Sequence, residues 1–585
     1  MANALLTPSI ELSYFYELYD ASWPREFTDE LKSIPGVAFN AEAAKKHWLV
    51  PSEMIDEVVK LWKSFHKSPI YVKSAPGLAY PEIQTIDGLR PYQLFSLEKA
   101  IKNEGLLVAH EQGIGKTPIG IAWLHTILPR SVNKRALIVV PASVRRQWAR
   151  VLKEWWPDHP ALFMVVPSNV PKVSGRPKNA ELLFVKYLKQ NQSLNPGIYL
   201  CSYQMVEELP EIAFDAILLD EGQYVKNPKT KAAKAIQARR NKLTQTLVLT
   251  GTPIEDKVID LFGIFDIIWP GRFGKTDFKF KKRYSESYES EYSVSGLGFT
   301  KKLTDNEDRQ KELKERVAKL SDRKTASDPD VRPYLPDLSI NIIRETAPVA
   351  NLSVDQIIDA LENGLDDNDQ LVTSINVKLR MLCDLLEDLA SQEIKHIFTT
   401  FYLKEHCEKG YNYLVERFSK HGYEIIYLDG DIPIPKREKI VEEITEKMKD
   451  PDYRVIVTAT ADSIAVGLDT LKVFNKAIFV ELSAKLGILL QALKRFHRLG
   501  TTIPVNVWFL VLDSTSDDRV VELLQEKIQD KNSILATSEG DQMIENKFNI
   551  STPEAELLAR MRDSVNKLNP FYQTEYSDYK LEDYE

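Results

Sequence analysis

The sequence predicts an α/β protein in which two parallel-sheet lobes follow a small αβ N-terminal module. In the first half, short apolar runs rich in β-formers alternate with helical patterns: GLLVAH, ALIVVP, GIYLCSY, AILLDE and TLVLTGTP. The alternation resumes further on with HIFTTF, EIIYLDG, RVIVTA, KAIFVEL and VNVWFLVLD. Apolar strands separated by helices are typical of parallel sheets that are covered on both faces.

Changes in composition divide the chain into five predicted regions. Prolines and Gly77 indicate a linker before the first lobe, and the proline-rich DPDVRPYLPD separates the two lobes. A charged, less periodic stretch near 274–324 is predicted to be a helical insertion in the first lobe. The predicted regions are a module over 1–66, a linker over 67–88, a first lobe over 89–335, a second lobe over 336–530, and a helical C-terminal segment with an acidic tail over 531–585.

The N-terminal module has the signals of a compact αβ unit between Ile10 and Phe65. We expect an alternating strand in IELSYFY, a helix opened by Pro24, a second extended stretch ending in WLVP, and a helix capped by Ser52. Basic side chains of the module could contact phosphates, and its aromatic rings could fill the core or stack on unpaired bases. These candidates are Arg25, Lys32, Lys45, Lys46, His47 and Lys60, with Trp23, Phe39 and Trp48.

Bulk composition excludes several classes of protein. With 585 residues and 43% hydrophobic content, the chain can form well-filled cores. Its three cysteines, Cys201, Cys383 and Cys407, form no CxxC pair, so neither a disulfide framework nor a zinc site is indicated. No apolar run approaches the ~20 residues that span a bilayer, and MANALLTPSI lacks the features of a signal peptide. We therefore expect an intracellular protein with no membrane partner.

The uneven distribution of charge matters more than the net charge of -8. Two stretches, Lys226 to Lys242 and Lys275 to Arg283, are strongly basic and could bind a phosphate backbone or simply be solvated. The last fifteen residues, FYQTEYSDYKLEDYE, contain five acids and one lysine. This tail is predicted to be disordered, with a possible role in docking a protein partner.

The stretch LLVAHEQGIGKTPIGIAWL predicts a phosphate-binding loop between a strand and a helix. Gly113 and Gly115 would let backbone N–H groups turn toward an anion at the helix N-terminus. Lys116 could reach the outer phosphates, and Thr117 could ligate Mg²⁺. Because His110 stands where the strict pattern has glycine, a glycine-rich turn without nucleotide is the alternative.

Two further motifs suit phosphoryl transfer. Asp220 and Glu221 end an apolar strand, where one carboxylate could hold Mg²⁺ and the other orient or deprotonate water. In QALKRFHR, Gln491, Arg495 and Arg498 have the i, i+4, i+7 spacing of one helical face. Guanidiniums there could stabilise phosphoryl charge, although surface arginines on an amphipathic helix have the same pattern.

In order, seven motifs resemble the series of superfamily two helicases: LRPYQ, GIGKT, VVPASVRRQW, DEGQ, LTGTP, the GLD of VGLD, and QALKRFHRLG. The segments DEGQYVKN, LTGTPIED and FHRLG are most similar to the corresponding motifs of Swi/Snf-type DNA translocases. The segment 10–66, with FTDELKSIPG and KKHWLVPSEMIDEVVKL, resembles the HARP module of annealing helicases, on a shorter match. The resemblance over 89–530 implies two RecA-like lobes that form an interlobe ATP cleft.

The resemblance also implies roles for individual residues, with ATP and Mg²⁺ as cofactors. Nucleotide contacts are implied for Gln93, Gly113, Gly115, Lys116, Thr117, Asp469 and Gln491, with adenine assigned to Gln93 and ribose to Asp469. Mg²⁺ binding is assigned to Thr117 and Asp220, and activation of the attacking water to Glu221. Arg495 and Arg498 are assigned as arginine fingers that reach the nucleotide across the interlobe cleft. The DNA path is assigned to Ser143, Trp148, Ser202 and Tyr203. Since the family commonly has an acid at the position of His110, the missing glycine does not argue against nucleotide.

Two departures from the family pattern limit this transfer. Gln223 replaces the usual histidine after the acidic pair, so hydrolysis is carried over from the family but its way of coupling hydrolysis to movement is not. The stretch TATADSIAVGL lacks the family's paired glycines and hydroxyl spacing, so no DNA contact is assigned there.

The function that these patterns favour is an ATP-dependent translocase on double-stranded DNA that remodels branched DNA by annealing strands or regressing forks. One alternative is a motor that displaces proteins such as RNA polymerase from DNA. Another is a nucleic-acid-binding scaffold whose ATP site only switches its shape. The sequence contains no evident nuclease constellation.

Overall fold

The computed structural model divides the chain into two compact units, one through Asp330 and one from Val331. This division falls five residues before the predicted lobe boundary at 335. The structure describes residues 4–9, 15–19, 25–41, 43, 46–65, 70–73, 83–128, 133–167, 180–190, 193–254, 258–289, 299–304, 306–346, 374–465, 469–482, 486–513 and 517. The predicted acidic tail, Trp23 and Lys45 lie outside the described residues.

The N-terminal module is a five-stranded sheet with two helices. Its elements are β1 Ala4–Pro8, β2 Phe15–Tyr19, α1 Arg25–Ser33, β3 Ala38–Asn40, β4 His47–Pro51, α2 Ile55–Phe65 and β5 Ile70–Val72. The sheet order is β3-β4-β2-β1-β5, and only the β1–β5 pair is parallel. Because β5 belongs to this sheet, the module extends past the predicted boundary at 66 into the predicted linker.

The core of the module forms between the helices and one face of the sheet. Phe27 of α1 and Trp62 of α2 are fully buried and meet edge to face, with ring centroids 5.4 Å apart. Trp48 belongs to the same core, as expected for an aromatic ring in a small module. Two expectations are wrong here: Ser52 does not cap α2, which a 3-10 turn Ser52–Met54 precedes, and His47 is only 5% exposed.

The first lobe contains a fully parallel sheet flanked by helices. Its elements are α3 Pro91–Lys102, β6 Gly105–Val108, α4 Lys116–Ile127, β7 Arg135–Val140, α5 Arg145–Trp155, β8 Leu162–Val166, β9 Glu181–Phe184, α6 Val185–Gln190, β10 Gly197–Ser202, β11 Ala216–Asp220, α7 Lys231–Gln237, β12 Gln245–Leu249 and α8 Asp260–Ile268. The five predicted strands of this lobe are confirmed as β6, β7, β10, β11 and β12.

Apolar residues cover both faces of this sheet. Along β7, Ala136, Ile138 and Val140 pack into one core, whereas Leu137 and Val139 pack into the other. All five are nearly or fully buried. Because both faces of the sheet are buried, the sequences of its strands are continuous apolar runs and do not alternate between apolar and polar residues.

The predicted helical insertion is a mixed structure that returns to the main sheet. It consists of α9 Asp277–Tyr284, an antiparallel hairpin of β13 Ser285–Glu289 and β14 Phe299–Leu303, α10 Glu307–Leu320, and β15 Ser321–Asp322. Strand β15 pairs with β6, so the sheet order is β15-β6-β12-β11-β7-β10-β8-β9. The end of the insertion thereby lies beside the strand that leads into the glycine-rich loop.

The second lobe repeats the parallel architecture. Its elements are β16 Leu338–Thr346, α11 Ser374–Ser391, β17 His396–Phe401, α12 Lys404–Phe418, β18 Tyr423–Leu428, α13 Ile434–Lys447, β19 Arg454–Thr460, α14 Ala461–Ala465, β20 Lys476–Phe479, α15 Leu486–Phe496 and β21 Val505–Asp513. The six strands are all parallel, in the order β16-β21-β20-β17-β19-β18. The predicted α/β class, with two parallel-sheet lobes and an αβ module, is confirmed.

All three cysteines are buried free thiols, in line with the prediction from their spacing. Burial raises the pKa of the Cys201 thiol to about 12. Within the described part of the chain, no helix combines the length and apolarity needed to cross a bilayer.

A buried carboxylate joins the N-terminal module to the first lobe. Glu53, in the turn before α2, accepts hydrogen bonds from Arg272 Nε at 2.8 Å and from Arg316 Nη2 at 2.8 Å. The side chains of Glu53 and Arg316 are each 1% exposed. Burial alone would raise the pKa of Glu53, but the attraction to Arg272 and then Arg316 outweighs it and lowers the pKa. The three charged side chains therefore form one hydrogen-bonded group in which Glu53 is the counter-charge to both guanidiniums.

Close packing surrounds this charged group. Arg272 Nη2 also donates to Ser52 Oγ at 2.9 Å, and Arg316 Nη1 donates to Pro35 O at 3.1 Å. Gly36, at φ +93°, lies so close to Arg272 that a Cβ there would stand 1.8 Å from the Arg272 carbonyl oxygen. Glycine is thus required both by the backbone conformation and by the neighbouring chain.

We predict that Glu53→Gln destabilises the first unit by about 3–5 kcal/mol, because it leaves two buried guanidiniums without a counter-charge. Chemical denaturation of the parent and the variant measures the change in the free energy of unfolding. Asp56→Asn is the matched control, since Asp56 is exposed on the neighbouring helix α2. An equal loss of unfolding free energy in both variants would show that the negative charge of Glu53 does not stabilise the first unit.

Candidate nucleotide-binding and catalytic site

The glycine-rich loop has the backbone of an anion-binding turn. It connects the end of β6 to α4, which begins at Lys116. Gly113 and Gly115 have φ values of 82° and 83°, in the left-handed region that glycine adopts without strain. The loop thereby ends at the N-terminus of a twelve-residue helix, where N–H groups and the helix dipole favour a phosphate.

Side chains from α3 and α4 hold the loop in this shape. Lys116 Nζ donates to the carbonyl oxygens of His110 and Glu111, at 3.1 and 3.3 Å, so its ammonium lies across the loop. Tyr92 donates from its hydroxyl to Ile114 O at 2.8 Å. The structure thus places Gly113, Gly115 and Lys116 around one turn.

Gln93 has a different position from the one that the family pattern implied. Its side chain is 0% exposed. Its Nε2 donates to Gly115 O at 2.8 Å, and its Oε1 accepts from the backbone N–H of Arg90 at 2.8 Å. With both ends of the amide bonded to backbone, Gln93 supports the loop in this structure rather than presenting a polar edge to adenine.

His110 belongs to a buried polar group behind the loop. Its Nε2 lies 2.7 Å from Asp322 Oδ2, to which Ser96 Oγ also donates at 2.5 Å. Burial lowers the pKa of His110 despite the nearby carboxylate of Asp322, so the imidazole is neutral. The position that glycine occupies in the strict pattern therefore carries a structural hydrogen bond to β15.

Backbone bonds extend this connection between the loop and the segment after β15. Ala109 N donates to Asp322 O, and Glu111 N donates to Lys324 O, both at 2.8 Å. Ala326 N donates to the carboxylate of Glu111 at 2.6 Å. Sequence reasoning missed Asp322 because it is 212 residues from His110 and belongs to no recognised motif.

The acidic pair lies at the carboxyl end of β11. Asp220 Oδ2 accepts a hydrogen bond from Trp148 Nε1 at 2.6 Å, and its backbone carbonyl accepts from the Tyr203 hydroxyl at 2.8 Å. Burial and the neighbouring charge of Glu221 raise the pKa of Asp220 to about 6. A carboxylate held this way has a strong preference for a nearby cation.

A hydrogen-bonded chain links Glu221 to the LTGTP motif through Gln223. Gln223 Nε2 donates to Glu221 Oε2 at 2.9 Å, and Thr250 Oγ1 donates to Gln223 Oε1 at 2.7 Å. Glu221 itself has φ 54°, which is unusual for a residue other than glycine. The residue that departs from the family pattern therefore bridges the two motifs.

The LTGTP motif also lies against the phosphate loop. A Cβ built on Gly251 would stand 2.4 Å from Gln112 Cγ, so only glycine allows this approach of the two loops. In the sheet, Leu249 of β12 is paired with Val108 of β6 on one side and Asp220 of β11 on the other. Three motifs that are far apart in sequence thus share one edge of the sheet.

Burial does not fit the direct DNA contacts assigned to three residues. Trp148, Ser202 and Tyr203 are each 3% exposed, so their side chains face the interior. Trp148 and Tyr203 instead bond to Asp220, as described above. The hydroxyl of Ser143 is also buried and has no hydrogen-bond partner among the described residues. Trp148 and Tyr203 therefore support Asp220 in this structure, and Ser202 is simply buried.

In the second lobe, the arginine motif is only partly helical. Gln491 and Arg495 lie on α15, which ends at Phe496, and Arg498 lies in the bend that follows. The prediction of one helical face for all three is thus wrong at Arg498. His497, between the arginines, is 3% exposed and bonds through Nε2 to Pro336 O at 3.0 Å. Burial and the charge of Lys494 lower its pKa to about 3, so it anchors the bend as a neutral ring.

Asp469 opens a 3-10 turn, Asp469–Val473, in the second lobe, and its side chain lies outside what the structure describes. A further polar residue, Glu481, follows β20 and was not predicted. Its Oε2 accepts from the backbone N–H groups of Tyr402 and Leu403 at 2.9 and 3.0 Å, and its Oε1 pairs with His406. This carboxylate ties the end of β20 to the end of β17.

The donor set in the first lobe fits Mg²⁺. Among the described residues no cluster of three or more His, Cys, Asp or Glu side chains could hold a metal by itself. One half-buried carboxylate, Asp220, and one hydroxyl, Thr117 at the start of α4, are nevertheless what Mg²⁺ uses when phosphates and waters complete its shell. A metal that arrives with the nucleotide is therefore compatible with these residues.

Comparison with known families matches both halves of the chain. A model described as the SNF2-related domain covers 18–346, which is more than half of the chain, and one described as the helicase conserved C-terminal domain covers 377–500. The chain belongs to the SNF2-related family. The predicted Swi/Snf-type relationship is thereby confirmed, and both domains of a helicase-type ATPase are represented.

Similar proteins come from animals and bacteria. The chain is 24% identical to the SWI/SNF-related matrix-associated actin-dependent regulator of chromatin subfamily A-like protein 1 of Xenopus tropicalis, over 80% of this chain and 47% of that protein. It is 25% identical to the putative ATP-dependent helicase/translocase YwqA of Bacillus subtilis, over 79% of this chain and 51% of that protein. It is 23% identical to the DNA annealing helicase and endonuclease ZRANB3 of Bos taurus, over 76% of this chain and 40% of that protein.

The chain spans about half the length of these curated relatives. Among solved structures, the Sulfolobus solfataricus SWI2/SNF2 ATPase core in complex with dsDNA is 21% identical. That match covers 82% of this chain and 98% of the other, with a TM-score of 0.35.

We predict that Gln223→Ala lowers kcat for ATP hydrolysis by about 10- to 100-fold, the equivalent of losing a hydrogen bond of ~1.5–3 kcal/mol to a charged group. The KM for ATP should change little, because Gln223 touches Glu221 and Thr250 rather than the phosphate loop. Steady-state ATPase assays at saturating nucleotide measure both constants.

Thr250→Val provides the second arm of a double-mutant cycle, since it removes the hydroxyl that donates to Gln223. The double variant should be no slower than the slower single variant. Additive losses would show that the two side chains act independently and that no chain links the motifs.

Proposed function

We propose that this chain is an ATP-driven translocase on double-stranded DNA, with ATP and Mg²⁺ as cofactors. The observation that carries the proposal is the chain of hydrogen bonds from Glu221 through Gln223 to Thr250, beside a phosphate loop in an SNF2-related domain. Such a chain connects the residue proposed to act on water with a loop that can respond to the nucleotide. A helicase-type domain follows, as a motor of this kind requires.

The chemistry proposed for the first lobe is phosphoryl transfer to water. Lys116 and the N–H groups of the loop bind the outer phosphates, and Thr117 with Asp220 holds Mg²⁺. Glu221 orients the attacking water and accepts its proton. The bound metal supplies charge neutralisation on the phosphates. On the family's pattern, Gln491 contacts nucleotide, Asp469 contacts ribose, and Arg495 and Arg498 stabilise the charge of the transferring group.

The finer proposal is that the motor remodels branched DNA by rewinding strands or regressing forks. Support comes from the module's resemblance to HARP and from an exposed edge of its sheet. Phe39, on the edge strand β3, is 44% exposed and packs its ring against Trp48, with centroids 5.1 Å apart. Lys46 is exposed just before β4, the strand that pairs with β3. An aromatic ring beside a cation suits an unpaired base and its phosphate.

Two other functions make different predictions. A motor that displaces proteins such as RNA polymerase from DNA would hydrolyse ATP equally well on linear and branched duplexes. An ATP-switched scaffold would bind nucleotide with little turnover, with or without DNA. The acidic tail of 571–585 could dock a basic protein in any of the three cases. Assays with no DNA, linear duplex and forked duplex separate the three.

We predict that Mg²⁺-dependent ATP hydrolysis by the full chain is stimulated by DNA, and that Glu221→Gln abolishes turnover while it preserves nucleotide binding. The variant loses only the carboxylate that accepts a proton from water. Turnover is measured by phosphate release, and binding by fluorescence of a labelled ATP analogue. Asp215→Asn is a control at the opposite end of β11, where Asp215 bonds to the backbone of Arg135. Normal hydrolysis by Glu221→Gln would remove the catalytic assignment.

We predict that replacing Phe39 and Lys46 together by alanine lowers the ratio of forked-duplex to linear-duplex stimulation. A lost base stack costs ~1–3 kcal/mol, so the half-saturating concentration of forked DNA should rise by about tenfold. Tyr71→Ala is the matched control, because Tyr71 is 54% exposed on β5, the opposite edge of the same sheet. All measurements use one salt concentration, since phosphate contacts depend on salt. An unchanged ratio would leave the module without a role in recognising branches.

A further inference from the structure

Tyr224 is an exposed aromatic residue that is stacked on a buried one beside the acidic pair. Its side chain is 47% exposed, whereas Tyr203 beneath it is 3% exposed. The ring centroids are 4.9 Å apart and the planes differ by 15°. One member of this stacked pair therefore belongs to the interior, and the other exposes about half of its side chain to solvent.

The buried member of the pair is bonded to the residues proposed for catalysis. The Tyr203 hydroxyl donates to Asp220 O at 2.8 Å and to Glu221 O at 3.4 Å. Burial and the charges of Asp220 and Glu221 raise the pKa of Tyr203 well above its usual value, so the hydroxyl stays a donor. The Tyr203 hydroxyl is therefore bonded directly to the backbone that carries both carboxylates.

Tyr224 is also connected to Glu221 through the main chain. It lies in the 3-10 turn Gly222–Val225, which starts directly after Glu221, and its N–H donates to Glu221 O at 3.1 Å. The turn is packed tightly on β12, since a Cβ on Gly222 would stand 2.1 Å from Val248 Cγ1. The exposed ring is thus connected to Glu221 in two ways, by stacking on Tyr203 and through the main chain. Glu221 has a left-handed backbone, which is a strained conformation for a residue other than glycine.

The surface that follows Tyr224 in sequence is suited to a nucleic-acid backbone. The structure divides the basic stretch of 226–242 into inward and outward groups. Arg239 is 2% exposed and bonds to Ala235 O, and Lys226 pairs with Asp260 at 3.7 Å. Three lysines, Lys229, Lys231 and Lys234, remain exposed on α7 and the loop before it, and α7 packs against the turn that carries Tyr224.

An aromatic platform beside a row of cations is the combination that binds a DNA strand, through stacking on a base or sugar and through phosphate contacts. We propose that Tyr224 is the positioning residue through which bound DNA accelerates hydrolysis. A DNA strand that binds to the Tyr224 ring and to the lysines shifts the stacked Tyr224–Tyr203 pair and thereby positions Glu221. This inference rests on the proposed function, and it assigns the DNA-sensing surface of the same site.

The test compares four full-length variants, Tyr224→Ala, Tyr224→Phe, Tyr203→Phe and the double variant Tyr224→Ala/Tyr203→Phe, with the parent. ATP turnover is measured without DNA and over a titration of linear duplex, and DNA affinity is measured separately by fluorescence anisotropy. Tyr334→Ala is the matched control, since Tyr334 is 42% exposed and is in the second unit. Thermal unfolding shows that each variant is folded.

In Tyr224→Ala, the ratio of DNA-stimulated to basal kcat should fall about tenfold, equivalent to ~1.4 kcal/mol of barrier, while the KM for ATP stays the same. Tyr224→Phe should restore the ratio, because it keeps the ring. Tyr203→Phe should lower the ratio with no change in DNA affinity, and the double variant should be no worse than the poorer single variant. Tyr334→Ala should behave as the parent does.

Three results would overturn the inference. In the first, Tyr224→Ala keeps the parent ratio of rates. In the second, Tyr224→Ala weakens DNA binding but reaches the parent kcat at saturating DNA, which would make Tyr224 a simple contact. The third is a parent enzyme that DNA does not stimulate at all, which would overturn the proposed function and this inference with it.

Discussion

The parallel register of three central strands is the constraint on which the candidate site depends. In the first lobe β12 lies between β6 and β11, so Leu249 is paired with both Val108 and Asp220. Parallel pairing puts the carboxyl ends of the three strands at one edge, where α/β sheets present ligands. The phosphate loop, the LTGTP motif and the acidic pair are therefore neighbours, although Val108 before the loop and Leu249 of LTGTP are 141 residues apart in the sequence. The close approach of Gly251 to Gln112 follows from this register as well.

Patterns along the sequence predicted the framework well, because strand and loop signals are local. The five apolar runs of each lobe became strands, and Gly113 and Gly115 have the backbone that a phosphate loop requires. The direction of individual side chains was predicted less well. Gln93, Trp148 and Tyr203 were assigned to ligands on the family's pattern, yet each is buried and bonded to protein. The partners of His110 were not predicted either, since Asp322 is brought to it by strand pairing between distant segments.

Gln223 illustrates how a departure from a family pattern can keep two hydrogen bonds at one position. An amide donates and accepts at the same time, so Gln223 can bond to the carboxylate of Glu221 and to the hydroxyl of Thr250 together. A neutral histidine could make the same two contacts only in one tautomer, and its charge would change near neutral pH. The amide itself does not titrate, so Gln223 keeps the same donor and acceptor atoms wherever Glu221 is ionised. The departure therefore keeps a donor and an acceptor at this position and removes a titrating group.

The buried group of Glu53, Arg272 and Arg316 makes the N-terminal module part of the first unit. Arg316 is 1% exposed and also lies over the ring of Phe273, 3.8 Å from its centroid, so it has no route to water. Removing the module would leave two buried guanidiniums without their carboxylate, a change that destabilises the lobe whatever the module recognises. Loss of fork preference after such a deletion could then come from a damaged lobe rather than from lost DNA contacts. Substitutions on the exposed β3 edge avoid this problem, because they leave the charged group intact and change only the surface that would meet DNA.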